Sequence, residues 1–258
     1  MNPLIIDILP ALRDNYIYVL RDRKSRHAAV VDPSEAGPVV DFLKSQNLIL
    51  THIFNTHHHP DHVGGNLTLK TATNCLIVGP APDKERIPGI DIALDDHDTY
   101  AFGDHPAQVF FVPGHTRGHI AFWFYQDSVL FCGDTLFACG CGRLFEGTPA
   151  QMWSSLRRLR DLPDHTRIYC GHEYTEANIR FALNLDPQNN ALVQRQDQVR
   201  KRREQNQSSL PALMSEEKMT NPFMRCDDAK FISDLGLGDL SPEQAFAEIR
   251  RRKDNFPS

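Results

Sequence analysis

The sequence predicts an α+β fold, with two β-sheets packed together and helices outside, followed by a separate helical part. Three observations predict it. Short apolar runs rich in branched and aromatic residues recur through the first part, punctuated by Asp, Gly and Pro. All 12 histidines of the 258-residue chain lie at or before His172. Beyond that point the chain reads as helix after helix, which places a boundary near residues 172–175.

Taken in order, residues 4–8, 16–20, 28–31 and 48–54 have strand length and strand composition, with a helix filling the gap at 39–44. Further strands are expected at 75–78, 108–112, 120–125, 129–132 and 168–170. Pro149–Arg160 is the clearest helix of the first part, because Met152, Leu156 and Leu159 make one apolar stripe. The second part opens with a helix at 175–184, stopped by Asp186 and Pro187, and continues with one at 192–206. The basic run 200–203 lacks aromatic interleaving and reads as a solvated helix face. In the last helix Ser241 is the N-cap, Pro242 takes the first position and Gln244 closes a capping box. Ala245, Phe246 and Ile249 share one side, and the helix ends in RRRKD, where cations complement the C-terminal dipole.

Composition narrows the function. With 28 Lys and Arg against 33 Asp and Glu, the formal charge is -5, so no global attraction draws the chain to nucleic acid or to an anionic membrane. An anionic ligand must be held locally. No run approaches the ~18 consecutive apolar residues of a bilayer span, and MNPLIIDILP lacks the basic region and cleavage pattern of a secretion signal. A cytoplasmic monomer is expected, with its six cysteines as free thiols.

The decisive segment is Thr56, His57, His58, His59, Pro60, Asp61 and His62, directly after a strand. Such a loop can turn His57 and His59 toward one point while Asp61 and His62 reach a second, and nitrogen and oxygen donors suit zinc, iron or manganese. A His-rich loop alone could be fortuitous. Three matching signals argue otherwise: PGHTRGH at 113–119, CGDT at 132–135 and CGHEYT at 170–175 each follow a strand. A side chain at a strand end is held by packed backbone yet points outward, which makes His115, Asp134 and His172 the distant ligands. His119 precedes an apolar strand and reads as a supporting histidine, while His27, His52, His58, His97, His105 and His165 read as surface or packing residues. Cys139 and Cys141 have no second pair nearby and are not metal ligands, and Gly140 and Gly142 read as loop geometry.

The string THHHPDH, followed by GHT, GDT and GHEYT, resembles the metallo-β-lactamase superfamily; CGCGRLFEGT and GHEYT make the resemblance specific to the hydroxyacylglutathione hydrolases, the glyoxalase II family, and it takes in the closing RRRKD. It spans essentially the whole chain. The resemblance implies a four-layer αβ/βα sandwich as the catalytic domain over residues 1–173 and a helical substrate-binding domain over 174–258. It further implies two divalent metal ions, zinc first and iron or manganese as alternatives. His57, His59 and His115 would hold one, Asp61, His62 and His172 the other, and Asp134 would bridge them. The lactamases themselves commonly carry a cysteine at the position of Asp134, so this carboxylate argues against a lactam substrate.

The implied activity is hydrolysis of S-(2-hydroxyacyl)glutathione thioesters, typically S-D-lactoylglutathione, by a hydroxide held between the metals. Asp61 and Asp134 would help orient it, in keeping with the absence of a G-x-S-x-G nucleophile elbow. By the same resemblance Arg143, Tyr174, Arg250 and Lys253 would contact the glutathione moiety. Where some members carry lysine and tyrosine, this chain has Arg143 and Phe145; arginine keeps a cationic fork, whereas phenylalanine forfeits a hydroxyl. Competing readings are a phosphodiesterase or persulfide dioxygenase of the same superfamily and a metal-containing structural protein. A nuclease of the superfamily is disfavoured by the lack of a basic groove signature, the dioxygenase fits poorly with a complete second metal site, and a structural site normally closes with four ligands.

Overall fold

Residues 3–257 are described by a computed structural model, in which the chain divides into two units. Met1, Asn2 and Ser258 lie outside the described residues, and the reading of the N-terminal leader falls partly on them. The first unit runs to Phe111 and resumes over Arg117–Gly133. It contains β1 (Ile5–Ala11), β2 (Asn15–Arg21), β3 (His27–Val31), α1 (Gly37–Gln46), β4 (Ile49–Phe54), α2 (Pro60–Val63), α3 (Asn66–Thr73), β5 (Leu76–Pro80) and β6 (Ile92–Leu94), which build one sheet in the order β1-β2-β3-β4-β5-β6. A second set, β7 (Thr99–Phe102), β8 (His105–Phe111), β9 (Ile120–Phe124) and β10 (Val129–Gly133), is antiparallel throughout.

The first sheet changes character at β3. Strands β1 to β3 are antiparallel, and β3 to β6 are parallel. Parallel neighbours need crossovers: α1 links β3 to β4, α2 and α3 link β4 to β5, and the 3-10 helix Ala81–Arg86 links β5 to β6, which leaves the ends of β3 and β4 side by side. Register follows the side-chain alternation. Val19, Val30, Ile53 and Ile77 pair in sequence across four strands and pack with Val39, Leu43 and Leu69 of the helices. The next row, Tyr18, Val31, Phe54 and Val78, faces the second sheet. There Phe54 meets Phe122 at 5.2 Å between ring centroids and Tyr18 meets Phe131 at 5.4 Å. The two sheets are therefore face to face, as the sequence predicts.

The second unit, Val112–Thr116 with Asp134–Ser258, contains the hairpin β11 (Leu136–Phe137) and β12 (Gly140–Cys141), α4 (Pro149–Arg160), β13 (Arg167–Cys170), α5 (Thr175–Leu185), α6 (Asn190–Glu204), β14 (Ala212–Leu213), α7 (Met214–Thr220), α8 (Ala229–Asp234) and α9 (Pro242–Asp254). Thr148 and Gln151 close a capping box at the start of α4, and Ser241 and Gln244 do the same for α9, as read from the sequence. Met152, Trp153, Leu156 and Leu159 are the buried face of α4. Rings link the helices: Trp153 stands 6.4 Å from Phe246, Phe246 5.7 Å from Phe223, and Phe223 6.1 Å from Phe181.

Several elements escape the sequence reading. In α3 only Leu69 of the two leucines turns inward, so no apolar stripe announces the helix. Strands β6 and β7 have three and four residues, β11, β12 and β14 only two each, too short for alternation to register. Among the described residues no helix is long and apolar enough to cross a membrane.

Phe54 is fully buried between the sheets, and cavity formation there should be costly. Phe54→Ala is expected to lower unfolding free energy by about 3–5 kcal/mol in urea denaturation, and a loss below about 1 kcal/mol would contradict the packing described.

Candidate metal centre

In the first unit the ligand loop leaves the end of β4. Asp32, one residue past β3, is buried and adopts φ 48°. That left-handed conformation is costly for a residue with a Cβ, so surrounding contacts must hold it. They do. Asp32 Oδ1 accepts from the Thr56 amide at 2.8 Å, and Oδ2 accepts from the Thr56 hydroxyl at 2.7 Å. The same Oδ2 lies 3.1 Å from His62 Nδ1, and Thr56 Oγ1 lies 3.1 Å from His57 Nδ1. Because the Thr56 proton is committed to Asp32, its lone pair accepts from His57 Nδ1–H. Asp32 likewise accepts from His62 Nδ1–H. The hydrogen-bond network thus assigns both imidazoles the tautomer with an unprotonated Nε2, the form a metal ligand requires.

The neighbouring side chains complete this half. His57 Nε2 is 3.1 Å from His59 Nδ1, so the two lone pairs converge. Asp61 and His62 sit on the single turn of α2, opened by Pro60 at its first position. Asn15, buried at the start of β2, donates to the Asp61 carbonyl at 3.0 Å and to Asp61 Oδ2 at 3.1 Å. His62 Nε2 lies 3.6 Å from that Oδ2. The loop is pinned where Gly65 N donates to Pro33 O, and a Cβ on Gly64 would stand 2.3 Å from Ser34 O. His119 stacks on His57 with centroids 4.6 Å apart, the supporting place expected for it. His58 turns elsewhere, its Nδ1 3.0 Å from Asp83 Oδ2 and its Nε2 facing Arg86.

The second unit carries the other donors. His115 Nδ1 donates to Arg143 O at 2.9 Å, which again leaves Nε2 unprotonated. That Nε2 lies 3.4 Å from Asp134 Oδ2, and His172 Nε2 lies 3.2 Å from the same oxygen. Within the first unit Asp32, His57 and His62 offer ligand atoms within 4.8 Å of one another. The imidazoles and carboxylates that each unit presents are donors that fit zinc, iron or manganese. Asp32 meets His62 Nδ1 directly and His57 Nδ1 through Thr56, the role of a buttress to the candidate ligands.

The four residues singled out for substrate are all in the second unit. Arg143 is exposed, and Tyr174 stacks on His172 at 4.8 Å with parallel rings. Arg250 is buried, donating to Cys141 O at 3.1 Å, with its guanidinium 5.0 Å from the Phe223 ring centroid. Of the closing basic run Arg250 is thus packed inward, whereas Arg251 and Arg252 hold Glu248 near the surface. Lys253 donates to Ala177 O at 3.1 Å and lies 5.2 Å from the Phe181 centroid. Burial, followed by the charges of Arg250, Arg180 and Arg143, brings its ammonium down to about 8. Phe145 is exposed and rests 5.2 Å from the His115 ring. Burial pushes the Cys139 thiol up to about 12 and Cys141 up to about 11, so both stay protonated. Gly142 answers close approach: a Cβ there would stand 1.9 Å from Asp134 O.

Residues 11–172 match the metallo-β-lactamase superfamily, and residues 173–256 match the hydroxyacylglutathione hydrolase C-terminus. A hydroxyacylglutathione hydrolase of Methylococcus capsulatus is 52% identical, over 96% of this chain and 97% of that protein. The chain belongs to the hydroxyacylglutathione hydrolase family. Its fold is accordingly the metallo-β-lactamase sandwich with C-terminal helices. Among solved structures, ETHE1 from Myxococcus xanthus is 25% identical with TM-score 0.65, covering 96% of this chain and 97% of that one. TTHA1623 in a di-iron-bound form is 28% identical with TM-score 0.54, covering 65% of this chain and 91% of that one.

The sequence reading does not single out Asn15 or Asp32, and it names Thr56 in the decisive segment without giving it a role. Asp32 obeys the rule that found Asp134, a carboxylate directly after an apolar strand, in the string VVDPSE. Asp32→Asn cannot serve the Thr56 amide together with the Thr56 hydroxyl and His62 Nδ1, since one of its two terminal atoms becomes a donor. Metal affinity measured by chelator competition is expected to fall about 10- to 100-fold, and native affinity would contradict the buttress role.

Proposed function

We propose that this chain hydrolyses S-(2-hydroxyacyl)glutathione thioesters, typically S-D-lactoylglutathione, to a 2-hydroxy acid and glutathione. The observation that carries the reading is 52% identity, over 96% of the chain, to a hydroxyacylglutathione hydrolase, in a chain whose two units each present oriented imidazole and carboxylate donors. In this proposal His57, His59 and His115 hold one ion, Asp61, His62 and His172 the other, and Asp134 bridges them. Zinc is the first choice and iron or manganese the alternatives. The approach of Asp134 Oδ2 to both His115 and His172 supports the bridging role.

Two divalent cations at these positions would lower the pKa of a water molecule and polarise the thioester carbonyl. The chain's own groups do the positioning. Asp61, oriented by Asn15, and Asp134 accept hydrogen bonds from the attacking water and aim it at the acyl carbon. Water oxygen bonds to that carbon, the carbon–sulfur bond breaks, and glutathione departs as a thiolate. Arg143, Arg250 and Lys253 supply fixed positive charge for the carboxylates of the tripeptide, and Tyr174 adds a ring beside His172. The catalytic part spans residues 1–173 and the substrate-binding part 174–258. We place the protein in the cytoplasm as a monomer acting on this small substrate, with no nucleic-acid or membrane partner. Six free, buried cysteines suit a reducing compartment.

Purified chain reconstituted with zinc should release thiol from S-D-lactoylglutathione, and a metal-replete sample without thioesterase activity would reject the proposal. Asp134→Asn should reduce kcat by at least about 100-fold while keeping most of the native melting temperature. A variant as active as the native chain would contradict the bridge.

Lys253 adds a pH signature. Its folded value of about 8 lies below the usual 10.5, so the cation is present below that pH and lost above it. KM for the anionic substrate is therefore expected to rise from about pH 7 to about pH 9, with Lys253→Met flattening that limb. An unchanged pH profile in the variant would remove Lys253 from the substrate site.

A further inference from the structure

The β11–β12 hairpin follows Asp134 by two residues and ends two residues before Arg143. Two-residue strands are too short to order themselves, so the origin of the hairpin's stability is a physical question. Its turn is held by side chains from the helices. Glu217 Oε2 accepts from Cys139 N at 2.8 Å, and Asn178 Nδ2 donates to Ala138 O at 3.1 Å. Asn221 Nδ2 reaches Gly140 O at 2.9 Å and Phe137 O at 3.3 Å, and Arg250 reaches Cys141 O. Cys139 is at φ 58°, a left-handed position that a residue with a Cβ keeps only under constraint.

Glu217 is the centre of this grip. It is fully buried, its Oε1 pairs with buried Arg195, and its Oε2 also accepts from Asn221 at 2.9 Å. Arg195 in turn donates to Thr220 at 2.7 Å. Burying an ion pair is seldom justified by stability alone, because apolar residues of similar size do as well. A carboxylate can, however, serve an arginine and a backbone amide at once. We propose that Glu217 is a positioning residue for substrate binding, holding the Cys139 amide so that the hairpin delivers Arg143 in a fixed place. The inference rests on the reading of Arg143 as a glutathione contact. The Arg143 carbonyl stays bonded to His115 Nδ1, so loosening the hairpin moves the exposed Arg143 side chain before it moves His115 and alters KM more than kcat.

Two double variants isolate the contact from the ion pair. Glu217→Leu with Arg195→Met removes both charges and leaves the Cys139 amide without an acceptor. Glu217→Gln with Arg195→Met also removes both charges but keeps an amide oxygen for Cys139. The leucine double variant should show KM raised roughly three- to tenfold with kcat within about twofold of native, and faster hydrogen exchange over residues 136–143. The glutamine double variant should return both readings to near-native values. Equal KM in the two variants, or equal exchange of the hairpin, overturns the positioning role. An Arg143→Ala variant with native KM overturns instead the substrate reading on which the role depends.

Discussion

One buried carboxylate sets the chemistry of the ligand loop. Asp32 takes the hydroxyl proton of Thr56 and the Nδ1 proton of His62, and Thr56 passes the same demand to His57. Two imidazoles thereby present Nε2 lone pairs without a metal having to select the tautomer. The arrangement is preorganised by the fold, because Asp32 and Thr56 follow adjacent parallel strands whose pairing brings Val31 beside Phe54. Its local cost, a non-glycine residue at φ 48°, is borne by the packed sheet beneath it.

The same economy recurs in the second unit. His115 is oriented by a backbone carbonyl, that of Arg143, so a residue proposed for substrate binding also orients a candidate metal ligand. Lys253 and Arg250 similarly combine packing against aromatic rings with positive charge. Burial and the charges of Arg250, Arg180 and Arg143 disfavour the Lys253 ammonium, and the anionic substrate of the proposed function would relieve it.

Much of this is legible in the sequence because candidate ligands at strand ends leave a local mark: an apolar run, then a histidine or aspartate. His57, His59, Asp61, His62, His115, Asp134 and His172 all carry it. Asp32 carries it too, but in the string VVDPSE, whose Asp-Pro-Ser has the composition of an ordinary turn. What the sequence could not show depends on hydrogen bonds between distant residues. The tautomers of His57 and His62 are set by a side chain 25 or more positions away. Arg195 and Glu217 lie in strongly polar helices, where charged residues read as solvated, and only tertiary packing reveals their burial.

The account depends on two ions held by distinct donor sets. Metal stoichiometry tests it most directly, on native chain, His59→Ala and His172→Ala, each reconstituted with zinc and dialysed to equilibrium. The expected result is about two equivalents in the native chain and about one in each variant. A single equivalent in the native chain, or two retained after loss of His172, would contradict the dinuclear centre.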